Sequence, residues 1–467
     1  MSKTAPPKST WARSTRLVSL AAGLAGKEVA SRLGRAFERG EQVAQRLQQV
    51  KVQVEQAKAI VESLGQLKGA AMKAGQLLSM ELRDVLPPEV IEVLSQLQDA
   101  GQTVDFAEVR SILLEELGPE RLAQLEVSPT PLASASIGQV HRARWTRPDG
   151  VVDDVVLKVQ FRGIAETIDS DLVLLERLAR VVLATQGKTL DLEGVFAELQ
   201  QVLELETDYL HEAQQLERYR ARAHEVPGLR VPAVAHPLCS RRVLALSYEH
   251  GLKLDAFLAR QPPVDVRERV AHQVLDLYFR EFFDWGLVQT DANFANFLFR
   301  PDEGELVLLD FGATRAYPPE FRERYQRLLR SSLAGDRPVA FAVAVELGLI
   351  DAQETPRARE ALHELLETVL RVFRPEHQPV DFSDDAFVAA AGAKLTAFFR
   401  ALTVSKPPAQ LIFLHRKLGG VYSLGRALRV RLDLRRYWER LEATTVPQLD
   451  TPEAEVPAVP VLVPLPA

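Results

Sequence analysis

Asp291 and Asn296 stand five residues apart in VQTDANFANFLF, and Asp310 follows nineteen residues after the first, at the head of DFG in LLDFGATR. A carboxylate, an amide oxygen and a second carboxylate flank what read as two short strands. They are the side chains that hold a divalent metal and orient a hydroxyl. Phosphoryl transfer also needs a lysine on the phosphates and a backbone cradle, and both occur in order towards the N-terminus. VVLKVQF puts Lys158 inside a strand, where its ammonium must meet an anion. PLASASIGQVHRA lies where a hairpin should cover the phosphates; it contains Ala133, Ser134, Ala135, Ser136, Ile137, Gly138, Gln139 and Val140. Glu212, in a helical run, is the candidate partner of Lys158. An isolated Asp291/Asn296 pair is equally the mark of an Asx-capped turn. The order of four pieces in a strand–loop–helix context is what argues for a kinase-like nucleotide site.

Departures from a protein kinase are as informative. The phosphate loop is rich in Ala and Ser where glycines are usual, and side chains there restrict how closely backbone approaches phosphate. Gln289-Thr290-Asp291 replaces His-Arg-Asp. ATRAYPPEFRERYQRLL predicts a helix almost directly after Gly312, with no long activation segment and no Ala-Pro-Glu. A protein substrate therefore has no obvious ledge. Glu212 stands 54 positions after Lys158, more than a compact kinase N-lobe allows.

The chain that must position these residues has 467 of them, 46% hydrophobic and 26% charged, which suits two or three globular domains. A net charge of -6 excludes general nucleic-acid binding, which needs a basic footprint. The one cysteine, Cys239, excludes an internal disulfide and a cysteine-rich zinc site, and points to a reducing, intracellular setting. No run approaches the ~18 apolar residues of a membrane-spanning helix. LVSLAAGLAG at 17–26 reads as the start of an amphipathic helix rather than a signal segment.

Five segments are expected. Residues 1–12 are a disordered tail and 13–125 are helix after helix, with breaks at Pro87-Pro88 and Gly118-Pro119. Residues 126–246 open with a hairpin, IGQVHRARWT and VVDDVVLKVQF around the turn RPDG. Two helical stretches follow, then strand-like LRVPAVA and RRVLALSYE. Residues 247–445 return to long helices, and a tail with six prolines runs from Val446. The Arg-rich helix FLHRKLGGVYSLGRALRVRLDLRRYWERL reads as a solvated, ion-paired face, with a patch for anionic lipid headgroups as the sharper alternative.

These pieces together resemble the UbiB family of atypical kinases, the AarF-domain proteins tied to coenzyme Q biosynthesis. LKGAAMKAGQLLSM carries the KxGQ motif as Lys73, Gly75 and Gln76. PLASASIGQVHRA is similar to the family's Ala-rich loop, and LETDYLHEAQ carries the ExD motif as Glu206 and Asp208. The likeness runs from about residue 60 to 440; Ala292 stands where a Pro is usual, and Ser134 interrupts the alanines. The resemblance implies that the helix of Lys73 and Gln76 lies across the cleft, with Glu206 as acidic partner, leaving room for a small or lipid-like acceptor or for water.

The expected fold is α+β, a protein-kinase-like two-lobed fold with an all-helical N-terminal extension. Its expected cofactors are ATP or ADP with Mg2+. Lys158 would clamp phosphates, oriented by Glu212, and Asn296 and Asp310 would hold the metal. Asp291 would orient or deprotonate the acceptor, and Ser247, Tyr248, Glu249 and His250 would form an adenine-reading hinge. Expected functions are an ATPase or small-molecule or lipid kinase supporting ubiquinone biosynthesis, or a nucleotide-binding pseudokinase scaffold; a protein kinase is disfavoured. Expected partners are nucleotide and either quinone-pathway enzymes or a lipid-like small molecule. The expected location is cytoplasmic, with peripheral contact at the inner face of the cytoplasmic membrane.

Overall fold

A computed structural model describes residues 104–443 except 135–136, 186–192, 292 and 406–408. Lys73, Gln76, Ala135 and Ser136, the 17–26 helix and both tails lie outside the described residues. The described chain divides into two compact units: residues 104–222, 231–250 and 309–313 form the first, and 223–230, 251–308 and 314–443 the second.

The first unit opens with helix α1 (Phe106–Ala123), kinked where Gly118 leaves helical geometry and Pro119 lacks an amide hydrogen. Strands β1 (Leu125–Val127), β2 (Ala133–Ser134), β3 (Gly138–Thr146) and β4 (Val152–Gln160) follow. The RPDG turn joins β3 and β4 as the sequence predicts, with the Arg147 amide donating to the Val151 carbonyl at 2.8 Å. Helices α2 (Ile164–Thr185), α3 (Glu193–Glu206) and α4 (Tyr209–Arg222) come next, where the sequence pattern predicts two helical stretches. The extra boundary is made by Asp208, whose carboxylate accepts from the Leu210 and His211 amides at 3.0 and 3.2 Å and starts α4 as an N-cap. Strand β5 (Leu229–Arg230) belongs to the second unit; β6 (Val243–Ser247) completes the five-stranded sheet, ordered β1-β3-β4-β6 with β2 on β3.

Period-two alternation decides what the sheet presents. Ala143 and Trp145 of β3 and Val155, Leu157 and Val159 of β4 are buried together with Val109, Ile112, Leu113 and Leu117 of α1. Each fully buried apolar side chain of this kind contributes roughly 1.5–3 kcal/mol. The alternate positions, Val140 and its register partner Lys158, are thereby turned to the other face.

The second unit is mainly helical: α5 (Leu254–Ala259), α6 (Val264–Phe279), α7 (Pro319–Leu333), α8 (Arg337–Glu346), α9 (Pro356–Leu370), α10 (Asp385–Ala401), α11 (Ala409–Leu428) and α12 (Arg435–Ala443). Three small sheets accompany them. Strand β8 (Phe297–Arg300) and β5 flank β9 (Glu305–Leu308), β7 (Leu287–Gln289) pairs with β10 (Thr314–Ala316), and β11 (Val380–Asp381) pairs with β12 (Arg431–Leu432). Strand β10 is three residues long and α7 begins at Pro319, so the chain after Gly312 turns helical almost at once, as expected.

One loop of this unit is anchored by a single carboxylate. Buried Glu354 accepts the amides of Thr403, Val404 and Ser405 at 2.9, 2.8 and 2.8 Å, and the Thr403 and Ser405 hydroxyls at 2.9 and 2.8 Å. Burial works to raise its carboxyl, but the amides of Ser405, Val404 and Thr403 overcome this and hold it well below the usual glutamate range. A depressed folded value means stability that is complete above the unfolded value of ~4.3 and lost as pH falls through the folded one. Glu354→Gln should therefore cost about 1.5–3 kcal/mol at pH 7. In thermal melts against pH, its deficit relative to wild type should shrink below about pH 4.

Candidate active site

Lys158 is the centre of the first unit's polar cluster. Strand alternation puts it on the face away from α1, and its Nζ lies 2.8 and 3.0 Å from the two carboxylate oxygens of Glu212. The Oδ2 of Asp310 is 3.5 Å away, and the Tyr209 ring centroid 5.0 Å. Lys158 is 19% exposed and Glu212 only 2%. Burial opposes the ammonium's charge, but Asp310 and Glu212 more than offset it and hold Lys158 well above the usual lysine range. Burial likewise raises the Glu212 carboxyl, to about 7, against the pull of Lys158. Helix α4 supplies both Tyr209 and Glu212, so its Asp208 cap sets where the carboxylate stands. The DFG turn is tightened by the Gly312 amide, which donates to Asp310 Oδ1 at 3.0 Å, and Phe311 packs on Tyr219 with centroids 4.9 Å apart.

The other expected residues of this unit divide between surface and interior. Ala133 and Ser134 are exposed on β2, opposite Val140 and Gln139. Ile137 is buried, and at Gly138 a Cβ would come within 2.4 Å of the Val159 carbonyl oxygen, so β4 itself demands glycine there. Gln139 is buried on the sheet face opposite Lys158, and among the described residues neither of its side-chain amide atoms has a partner. The Ser247 hydroxyl donates to Glu249 at 2.9 Å and accepts from the Ala233 amide at 2.9 Å. The Tyr248 amide donates to the Asp154 carbonyl, and its ring is covered by the Arg142 guanidinium at 4.2 Å. His250 is exposed at the end of the segment, and Glu206 closes α3. Asp208, grouped by its motif with the cleft residues, is engaged as the α4 cap.

The second unit assembles Asp291 and Asn296. Strand β7 ends at Gln289, which is locked in register against Thr314. Asn293 then caps the short 3-10 turn Phe294–Asn296 through the Ala295 amide at 2.9 Å. The Asn296 side-chain amide donates to Asp291 Oδ2 at 2.9 Å, and Arg416 of α11 donates to Oδ1 at 3.1 Å. Arg416 and Asp291 are 14% and 15% exposed. This corrects the sequence reading of the Arg-rich helix at two positions: Arg416 and its neighbour Lys417 face the protein, with Lys417 3% exposed. The available signal was two cations inside the apolar run FLHRKLGG, which a half-buried helix tolerates only if each finds an anion.

Taken separately, Asp310 of the first unit carries a carboxylate and Asn296 of the second, whose NH2 donates to Asp291, an amide oxygen; both are hard oxygen donors of the kind magnesium takes. Among the described residues no cluster of three or more His, Cys, Asp or Glu could cage a metal unaided.

A five-stranded sheet with a lysine–glutamate pair, an Asp-Phe-Gly turn and an Asp–Asn loop on a helical unit defines a kinase-like protein. The chain matches the ABC1 atypical kinase-like domain over residues 96–343, and it belongs to that family. It is 31% identical over 407 residues to the mitochondrial atypical kinase COQ8B of Rattus norvegicus, covering 84% of this chain and 74% of that protein. To the mitochondrial atypical kinase COQ8 of Saccharomyces cerevisiae it is 29% identical over 368 residues, covering 78% of this chain and 72% of that one. To coq-8 of Caenorhabditis elegans it is 32% identical over 381 residues, 80% of this chain and 49% of the relative. The chain thus spans between about half and three quarters of the length of these relatives. Among solved structures, the Rv3197–erythromycin complex from Mycobacterium tuberculosis shares the fold, with a TM-score of 0.58, 24% identity and coverage of 89% of this chain and 100% of that one. Among the described residues no helix is long and apolar enough to cross a membrane.

The Lys158 cluster predicts a separable effect. Lys158→Met leaves Glu212 buried without its cation, which should cost about 3–5 kcal/mol in denaturant unfolding. The Mg2+-dependent thermal shift produced by ATP or ADP should vanish in the same variant. An unaltered shift would remove Lys158 from nucleotide binding.

Proposed function

We propose that this protein is an ATP-dependent atypical kinase or ATPase that supports ubiquinone biosynthesis and acts on a small or lipid-like acceptor, or on water. The observation that carries the reading is Lys158, held charged between Glu212 and Asp310 at 2.8 and 3.5 Å. A lysine so placed exchanges part of its carboxylate company for nucleotide phosphates without leaving its strand. Asp310 and Asn296 would supply oxygens to Mg2+, which neutralises phosphate charge when bound. Asp291 would orient the acceptor hydroxyl, and the backbone of residues 133–140 and 247–250 would line the nucleotide. The family's membership among atypical kinases named COQ8 supports the ubiquinone link. The short passage from Gly312 to α7 supports a non-protein acceptor. Lys73 and Gln76, with Glu206, would restrict the acceptor's approach. Quinone-pathway enzymes and a membrane surface are the partners this role calls for.

One observation favours a second reading, a nucleotide-binding scaffold without turnover. Both carboxylate oxygens of Asp291 are engaged, by Asn296 and Arg416. Phosphate release from Mg–ATP, with and without a phenolic quinone precursor and anionic vesicles, separates the two. Under the enzyme reading, Asp291→Asn keeps nucleotide affinity and loses about 10²–10⁴-fold in turnover. No phosphate release by wild type under any of these conditions, together with quinone production in cells carrying Asp291→Asn, establishes the scaffold.

A further inference from the structure

Behind the Asp291 loop lies an ion pair that the proposed chemistry does not use. Lys417 Nζ is 3.1 Å from Glu281 Oε2 and 3.4 Å from Oε1, and donates also to Gln289 Oε1 at 3.3 Å. The Gln289 amide donates to Glu281 Oε1 at 3.4 Å. Glu281 and Gln289 are fully buried. A charge pair so deep costs desolvation that an apolar pair would avoid, and it needs a reason other than stability.

The surroundings supply one. Glu281 belongs to a π-helical turn, Arg280–Trp285, that continues α6. Such turns widen the helix and redirect its side chains, and they recur at functional segments. The turn is held from its other side by buried Arg322, which donates to the Phe283 carbonyl at 2.7 Å. It stops at Gly286, φ 63°, where a Cβ would come within 2.9 Å of the Tyr317 carbonyl oxygen and 3.0 Å of Arg322. Helix α11 then meets the loop twice with consecutive residues: Lys417 at Gln289, and Arg416 at Asp291. Between them Thr290 is buried.

We propose that the Lys417–Glu281 pair is the positioning device of the Asp291 loop, fixing the Gln289 backbone to α11 so that Asp291 is presented at a set place. Neither residue touches a reacting group; both act through Gln289. The catalytic consequence rests on the proposed role of Asp291, whereas the positioning itself does not.

The test uses the full chain. Lys417→Met and Glu281→Gln singly each strand half of a buried pair and lose stability. The double variant keeps volume and removes the charges together, so it carries the experiment. Its thermal midpoint and Mg–nucleotide affinity should stay near wild type. Amide hydrogen exchange across residues 287–297 should speed up about tenfold or more, reporting local opening. Turnover should fall about tenfold through kcat with KM for nucleotide unchanged. Unchanged loop protection overturns the proposal whatever the turnover, and a loosened loop with full kcat overturns its catalytic consequence. A loosened loop in a protein whose wild type releases no phosphate, and whose Asp291→Asn variant still supports quinone production in cells, upholds the positioning and removes the enzyme reading instead. Wild type alone gives an independent check should the double variant not fold: the Gln289 amide and the α11 amides around Lys417 should exchange through one opening. Protection differing by more than about tenfold between them overturns the coupling.

Discussion

A lysine ammonium taken most of the way out of water has to be matched by anions or it loses its proton, and the first unit is arranged around meeting that demand at Lys158. Strand β4 delivers the side chain to the face left bare by α1, and α4 delivers Glu212, fully buried, to meet it. The Asp208 cap sets the start of α4, and the Gly312 amide holds Asp310 within 3.5 Å of the same nitrogen. Glu212, 2% exposed, would be costly without its cation. Together the three charges form a cluster in which one ammonium is shared by two carboxylates. Burial raises the Glu212 carboxyl, and the Lys158 ammonium opposes that rise.

The second unit solves a different electrostatic problem by the same means. Asp291 sits in a loop whose backbone continues a three-residue strand, too short to fix a side chain by ladder bonds alone. Helix α11 adds two cations, Lys417 at the last residue of β7 and Arg416 at Asp291 in the loop. Charge-assisted hydrogen bonds are directional and about twice as strong as neutral ones, so a few of them position a loop that packing alone would leave loose. Glu354 shows the principle in pure form elsewhere in this unit: one carboxylate, gathering three successive amides and two hydroxyls, holds residues 403–405.

Much of this was legible in the residue order. Period-two alternation in β3 and β4 gives the hairpin, the face of Lys158 and the buried stripe that α1 covers, because strand geometry leaves no other assignment. The order of Ala-rich loop, Lys158, Glu212, Asp291, Asn296 and Asp310 marks a kinase-like site, since a site built in sequence order on regular elements leaves a readable trace, and the KxGQ motif of Lys73, Gly75 and Gln76 with the Ala-rich loop carries the family resemblance. Local chemistry also marks the short route from Gly312 into α7, where Pro318-Pro319 opens a helix.

Other features were decided only by the tertiary structure, each for a definite reason. Asp208 reads as a motif residue, and its use as a cap depends on where α3 ends, which helical periodicity running through both helices does not reveal. Gln139 belongs to the phosphate loop by sequence, yet its side chain is buried on the sheet face opposite Lys158, a distinction set by register against β4. Arg416 and Lys417 belong to an Arg-rich helix whose composition describes a solvated face. Which of its cations turn inward depends on anions supplied by Asp291 and Glu281, more than 100 positions away in the chain. A charge declares its partner in sequence only when the two share an element, at spacings that a helix or strand brings together. Partners joined by the fold are chosen by packing, which no local pattern carries.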